Sequence, residues 1–336
     1  MRTADTDRRG MLLGLASCLG ASAASAVSAN CNSSRLRGTF IQPTNDQAAW
    51  SHSDWRRLFD EFETLTLGNV FLQWSVLNRT AFFPTSRYNS AVATLPLVMD
   101  FAAQARMQVW TGLHLDTQYW EEIRHGADRI RWYFRERLHD LDMLLPDLDR
   151  IMASGSFARW YITDEIDDQT WQDDAKRAVL KQYLSDTVVE LKSRRPGSKV
   201  AISGFTNSSS HPDVVAAFWA DILNASGIDL LLFQDGVGEK KLELADLPRY
   251  YAALLRAVRA AGARLGAVVE LFSLMPDGVR VPGPVARIRA QLEIAGRLSS
   301  FPPVAFAIPN YMSELSGRPG AALLSEFVSS QRICAQ

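Results

Sequence analysis

The chain has 336 residues, a net charge of −1, 47% hydrophobic residues and 22% charged residues. A near-neutral balance leaves no electrostatic footprint for nucleic acid or for an anionic membrane surface. Nowhere does the sequence run through the roughly 18 consecutive apolar residues that a membrane-spanning helix needs.

The N-terminus reads as an address. Arg8-Arg9 precede the apolar Gly10-Met11-Leu12-Leu13-Gly14-Leu15, and a small-residue run ends at Val27-Ser28-Ala29. A basic pair, a short apolar region and an A-x-A-like site predict a signal peptide over 1–29. The paired arginines suggest twin-arginine export, hence a periplasmic or secreted bacterial protein. A competing reading takes Leu15-Ala16-Ser17-Cys18 as a lipobox, with a lipid anchor on Cys18. The remaining 30–336 suits one α/β barrel domain or two ordinary domains. Cys31 and Cys334 then flank it, and an oxidising compartment permits a disulfide between them; two unpaired thiols are the alternative.

From there one unit recurs: a β-rich run ending in polar or aromatic residues, then an amphipathic helix. The runs fall at 36–42, 69–75, 107–113, 159–168, 199–205, 229–234, 265–270 and 304–308. Helices are expected at about 54–65, 91–105, 118–152, 169–193, 213–226, 247–261 and 284–298, with a last one near the C-terminus. His52-Ser53-Asp54 is expected to cap the first helix. Pro146 is expected to break the third, and Arg195-Pro196-Gly197 to stop the fourth. Strands alternating with helices imply a parallel sheet covered by helices. The runs are apolar rather than strictly alternating, as in strands buried on both faces. Eight units without a Gly-rich dinucleotide fingerprint predict a single (β/α)8 TIM barrel of the α/β class. The rival is an open doubly wound sheet.

A TIM barrel carries its site at the C-terminal strand ends. Those ends hold Gln42, Gln73 with Trp74, His114 with Asp116, Asp164 with Glu165, Thr206 with Asn207, Gln234 with Asp235, Glu270 with Phe272, and Asn310 with Tyr311. The opposite ends hold Arg35, Asn69, Arg106, Lys199, Asp229 and Arg264, which read as solvated charges. Acids, amides and flat rings gathered at one end suit sugar chemistry. Cleaving a glycosidic bond needs one carboxylic acid to protonate the leaving oxygen and a second carboxylate to attack carbon or activate water. Their environments must differ, so that one keeps its proton. Glu165 and Glu270 are the candidates. Glu270 follows the apolar Gly266-Ala267-Val268-Val269, where an unpaired acid would be costly. The bland reading makes each an ion-pair member at the rim.

Gln42, Gln73, Trp74, His114, Asp164, Asn207, Asp235, Phe272 and Tyr311 are the candidate sugar contacts, although any single aromatic is commonly core packing. Asp235 sits in Gln-Asp-Gly-Val-Gly, whose glycines let backbone approach a ligand. It binds a hydroxyl, orients Glu270 or caps backbone amides. Loops over 78–89 and 118–155 are expected to shape the cleft. No metal-site spacing stands out, no cofactor is expected, and neither G-x-S-x-G nor a P-loop occurs.

Glutamates ending strands four and seven resemble the large clan of retaining barrel glycosidases. More specifically, Gly38-Thr39-Phe40-Ile41-Gln42, Trp160-Tyr161 through Glu165-Ile166, Gln234-Asp235-Gly236-Val237-Gly238 and Val269-Glu270-Leu271-Phe272 resemble a glycosidase-like barrel family known as domain of unknown function 4434. The resemblance spans roughly 35–312. It implies Glu165 as acid/base and Glu270 as nucleophile. It also implies a sugar 2-hydroxyl contact at position 164, where the clan has Asn and this chain has Asp164. Asp accepts that hydrogen bond but donates none, and its charge would raise the pKa of Glu165. The expected activity is glycoside hydrolysis, retaining, on an extracytoplasmic poly- or oligosaccharide. The alternative is a non-catalytic carbohydrate-binding barrel that handles exopolysaccharide; a lyase or transferase using the same acids is a third.

Overall fold

The computed structural model describes residues 35–90, 93–152 and 159–333. The signal segment, Cys18, Cys31 and Cys334 lie outside the described residues.

Eight strands form a closed parallel barrel in which each strand pairs with its neighbours in sequence and the first closes on the last. They are β1 (Gly38–Ile41), β2 (Asn69–Leu72), β3 (Gln108–Gly112), β4 (Arg159–Asp167), β5 (Lys199–Phe205), β6 (Leu230–Gln234), β7 (Arg264–Glu270) and β8 (Val304–Phe306). The main helices are α1 (His52–Thr64), α2 (Thr94–Gln104), α3 (Ala127–Ile151), α4 (Asp174–Arg194), α5 (Pro212–Ser226), α6 (Leu247–Ala260), α7 (Val285–Leu298) and α8 (Arg318–Ile333). The expected (β/α)8 architecture is therefore the observed one, and the open sheet is excluded by the β1–β8 pairing of Gly38 with Val304.

Strand side chains alternate between the two faces with a period of two. One set points outward to the helices and includes Ile41, Trp160, Ile162, Ile202 and Phe233. The other fills the barrel: Phe40, Phe71, Trp110, Tyr161, Ala201, Leu232, Val268 and Val304, one from each strand in turn. Phe71 and Trp110 stack at 5.2 Å, and the Tyr161 hydroxyl donates to Ser203 Oγ at 2.8 Å. This plug makes the barrel solid below its C-terminal mouth, as inward side chains of such barrels do.

Local chemistry sets the helix boundaries. Ser51, one residue before the expected cap, starts α1: it accepts from Asp54 N–H while the Asp54 carboxylate takes its own N–H, a reciprocal cap. The fourth helix starts at Asp174, later than expected, because Asp167 Oδ1 accepts from the amides of Gln169 and Thr170 and holds a turn there. The break expected at Pro146 is absent. The interruption lies before Gly126, after a short helix at Tyr119–Glu122, and α3 continues through Pro146. The segment after β2 folds into the short strands Val76–Leu77, Thr80–Ala81 and Asn89–Ser90, which form a small sheet with His114–Leu115 after β3 in place of a plain loop.

Helix and barrel meet closely at Gly204. A Cβ there would lie 1.9 Å from the Trp219 ring, and Trp219 is fully buried on α5. Gly204→Ala should destabilise the fold by about 1–3 kcal/mol through overpacking. Gly68→Ala, where nothing lies within 4 Å of the added atom, should change stability by less than about 0.5 kcal/mol. Denaturant midpoints of the two variants check this.

Candidate active site

Two residues above the aromatic plug, the inward positions turn polar. From Phe40, Phe71, Leu232 and Val268 the same alternation leads to Gln42, Gln73, Gln234 and Glu270. β4 reaches this layer differently. Ile162 pairs with Ile202 but Ile166 with Gly204, so β4 carries two extra residues in a bulge. The period of two keeps Glu165 on the inward face of Tyr161, and the two extra residues hold it in the layer just above the plug. β3 adds no side chain here, because Gly112 is crowded: a Cβ would lie 2.3 Å from the Leu72 carbonyl.

The result is a cavity of about 360 Å³ lined by Gln42, Gln73, Glu165, Gln234, Glu239, Lys241, Val268, Glu270, Phe272, Arg280, Phe306 and Tyr311. Six of the sequence-predicted residues thus line one cavity: Gln42, Gln73, Glu165, Glu270, Phe272 and Tyr311. The Phe272 and Tyr311 rings lie 5.1 Å apart. Gln73 Oε1 is buried in the wall without a hydrogen-bond partner among the described residues.

The two glutamates are held differently. Glu165 Oε1 accepts from Gln234 Nε2 at 2.8 Å, and its main-chain carbonyl accepts from the Tyr119 hydroxyl at 3.0 Å. Enclosure raises its pKa; the Gln234 hydrogen bond and the Lys241 charge oppose that. Glu270 is 5% exposed, and its Oε2 accepts from Glu239 N–H at 2.8 Å. Burial pushes its pKa up strongly, and the neighbouring Asp235 carboxyl adds to the rise. Gly238 is needed for this contact. A Cβ there would lie 2.2 Å from the Phe272 carbonyl and 2.9 Å from Glu270 Oε2.

The other five predicted contacts do not line the cavity. Asp164 is adjacent to Glu165 yet points outward; its Oδ2 accepts from the Tyr183 hydroxyl at 2.7 Å in a buried group with His114 and Arg137. The expected 2-hydroxyl contact at this position is not available to it. His114 donates from Nε2 to the Asn78 carbonyl at 2.7 Å and accepts at Nδ1 from Arg137 at 2.9 Å. Burial and the Arg137 charge lower its pKa to about 4. Trp74 is buried and donates to the Pro43 carbonyl at 2.7 Å. Asn207 is exposed, with Gln169 Oε1 at 3.4 Å. Asp235 lies behind Glu270, where it accepts from the amides of Val237 and Glu270 and from Gln291 Nε2. It caps backbone and supports Glu270 from the rear.

Among the described residues, the expected cleft loops at 78–89 and 118–155 contribute none to the lining. The walls come instead from the loop after β6 and from a hairpin after β7, Phe272–Leu274 with Arg280–Pro282. Sequence reasoning missed Glu239, Lys241 and Arg280. The signal was Gly236-Val237-Gly238: Gly236 has φ +64°, and the turn it permits brings the following residues back over the barrel mouth. Arg280 crosses to Glu239 through two hydrogen bonds, Nε to Oε2 at 3.0 Å and a second to Oε1, and joins the two loops.

Two predictions follow from these environments. Tyr183→Phe leaves Asp164 buried without its hydrogen bond and should cost about 1–3 kcal/mol in a denaturant titration, with no change in the cavity lining. Asp235 and Glu270 have pKa values raised to about 7 and about 8. The folded chain therefore holds more protons than the unfolded chain between the ordinary carboxylate range, about 4, and those values. Stability is greatest below that interval and declines as pH rises through it. The melting temperature should fall from about pH 5 to about pH 8, and Asp235→Asn should flatten that fall.

Comparison with known proteins follows the same lines. The family described as "Domain of unknown function (DUF4434)" matches residues 36–322. The "Uncharacterized protein YbcH" of Escherichia coli (strain K12) is 26% identical over 240 residues, 70% of this chain and 77% of that protein. A solved structure from Bacteroides thetaiotaomicron VPI-5482, described as a "putative alpha-L-fucosidase", has a TM-score of 0.74 at 18% identity, over 89% of this chain and 96% of that one. The endo-1,4-beta-D-mannanase of Thermotoga petrophila RKU-1 has a TM-score of 0.60 at 11% identity, over 88% of this chain and 99% of that one. At these identities the structural likeness is one of fold. The family match runs from just before β1 into α8, and the chain belongs to the DUF4434 family.

Proposed function

We propose that the protein is a retaining glycoside hydrolase acting on an extracytoplasmic poly- or oligosaccharide. The observation that carries this reading is that Glu165 and Glu270, on β4 and β7, face one cavity among amides and aromatic rings. Those are the groups a glycosidic cleavage uses: an acid, a carboxylate, hydroxyl-binding amides and flat surfaces for pyranose rings. The fold of the fucosidase-described and mannanase structures is consistent with it.

In this mechanism Glu165, its pKa raised by enclosure, protonates the departing oxygen. Glu270 attacks the anomeric carbon, and water, deprotonated by Glu165, then releases the glycosyl group. Attack requires ionised Glu270. The Glu239 N–H on Oε2 and the Lys241 charge favour that form, against burial and Asp235. A second reading, a sugar-binding barrel without turnover, draws on the upward shift of both carboxyls by enclosure.

A glycan panel with the mature protein tests the proposal. Glu165→Gln and Glu270→Gln should each lower kcat/KM by about 10²- to 10⁴-fold. An aryl glycoside whose leaving group needs no protonation should restore the first step, read as kcat/KM or as a burst of released phenol, in Glu165→Gln but not in Glu270→Gln. Restoration in Glu270→Gln alone would exchange the two roles. Turnover unchanged in both variants would remove the mechanism, and binding without turnover would leave the sugar-binding barrel. For the acid, the raised pKa places the alkaline limb of kcat/KM above the ordinary glutamate value, so activity should persist beyond the pH at which a solvent-exposed glutamate has lost its proton.

A further inference from the structure

The cavity contains two cations in different situations. Arg280 is engaged by Glu239 through both carboxylate oxygens. Lys241 is not engaged by any acid: among the described residues no carboxylate oxygen lies within the 4.0 Å of an ion pair from its Nζ. Its Nζ sits 3.5 Å from the centroid of the Phe205 ring. That cation–π contact orients the ammonium but uses none of its three N–H donors on an acceptor. A lysine serving only to neutralise Glu165 or Glu270 would rest against one of them.

The loop that carries Lys241 is built around this position. Gly236, with φ +64°, closes a turn in which its carbonyl accepts from the amides of Lys241 at 2.8 Å and Leu242 at 3.2 Å. Gly238 lets the same loop lie against Glu270. The turn thus presents the ammonium to the cavity that the two glutamates line. Glu239, the third acid of the wall, is neutralised by Arg280. An anionic group entering near Lys241 therefore meets a cation with free donors, in a cavity that Gln42, Gln73 and Gln234 also line. Gln73 Oε1 offers an unused acceptor to the hydroxyls of the same ring. A compact ammonium on a flexible stem recognises an anion as a point charge.

We infer that the cavity takes an acidic sugar, and that Lys241 Nζ binds the carboxylate of a uronic acid residue. The inference rests on the carbohydrate reading of the cavity and names the class of sugar. A sulfate ester offers related chemistry, so the test separates the two.

The experiment is calorimetric binding to mature Glu165→Gln protein, which retains the cavity and removes turnover. The ligands are oligouronates of several linkages, each with its carboxyl-reduced counterpart, and sulfated neutral oligosaccharides. At least one oligouronate should bind about tenfold or more tighter than its reduced partner. Adding Lys241→Met should weaken that binding by about 10- to 100-fold, as loss of a charge-assisted hydrogen bond does, and bring the ratio towards one. Lys241→Arg should retain most of the preference, and unchanged melting of Lys241→Met would exclude a folding defect. The inference falls if no oligouronate is preferred over its reduced form, if the preference survives Lys241→Met, or if sulfated sugars alone are preferred. Neutral glycans cleaved by the wild type with acidic ones ignored would remove it and leave the hydrolase standing. A Lys241-dependent uronate preference with turnover unaffected by Glu165→Gln and Glu270→Gln would do the reverse.

Discussion

An ionised carboxylate is stable only where water or a partner solvates it, and this barrel places its two central glutamates where water is scarce. The cause lies beneath them. Phe40, Phe71, Trp110, Tyr161 and their neighbours fill the interior with rings and leave a dry, rigid floor. Glu270 rises directly from Val268 on that floor, with Asp235 buried at its back. Its surroundings hold the carboxyl close to a change of protonation, where a group that trades protons must operate.

Glu165 and Asp164 show how finely this depends on direction. They are neighbours on one strand, both acids, and they face opposite sides of it. Asp164 belongs to a buried network with Tyr183, Arg137 and His114, which braces the outer face of β4. Glu165 receives Gln234 within the cavity. Tyr119 ties the Glu165 carbonyl to the same outer side. The outward network thus supports the strand segment that delivers the inward acid.

Much of the fold was legible because strands buried on both faces stay apolar along their whole length, and eight such runs interrupt amphipathic helices. Gln42, Gln73 and Glu270 were legible for a related reason: each follows an apolar stretch directly, at the C-terminal end of its strand. The limits have physical causes. No local pattern marks the bulge between Ile162 and Ile166; its two extra residues leave Glu165 on the face of Tyr161 and decide only how high on the barrel that acid sits. His114 looks like a site residue until Arg137, from the middle of α3, reaches it. Glu239, Lys241 and Arg280 reach the cavity through long-range loop packing, which no strand period encodes. Pro146 was a poor guide because the rest of α3 has enough buried apolar surface to carry one missing hydrogen bond.

Gln42 and Tyr311 line the same wall from opposite ends of the polypeptide. They share it because Thr39 and Ala305 pair as the ring closes, a contact between residues 266 positions apart. Bringing such distant segments together carries a loop-closure entropy that only the completed pairing offsets. A nascent chain that has released seven strands still lacks the seam that joins these two sides. The chamber therefore has no working half-built form; it comes into being with the last strand, in one step with the fold.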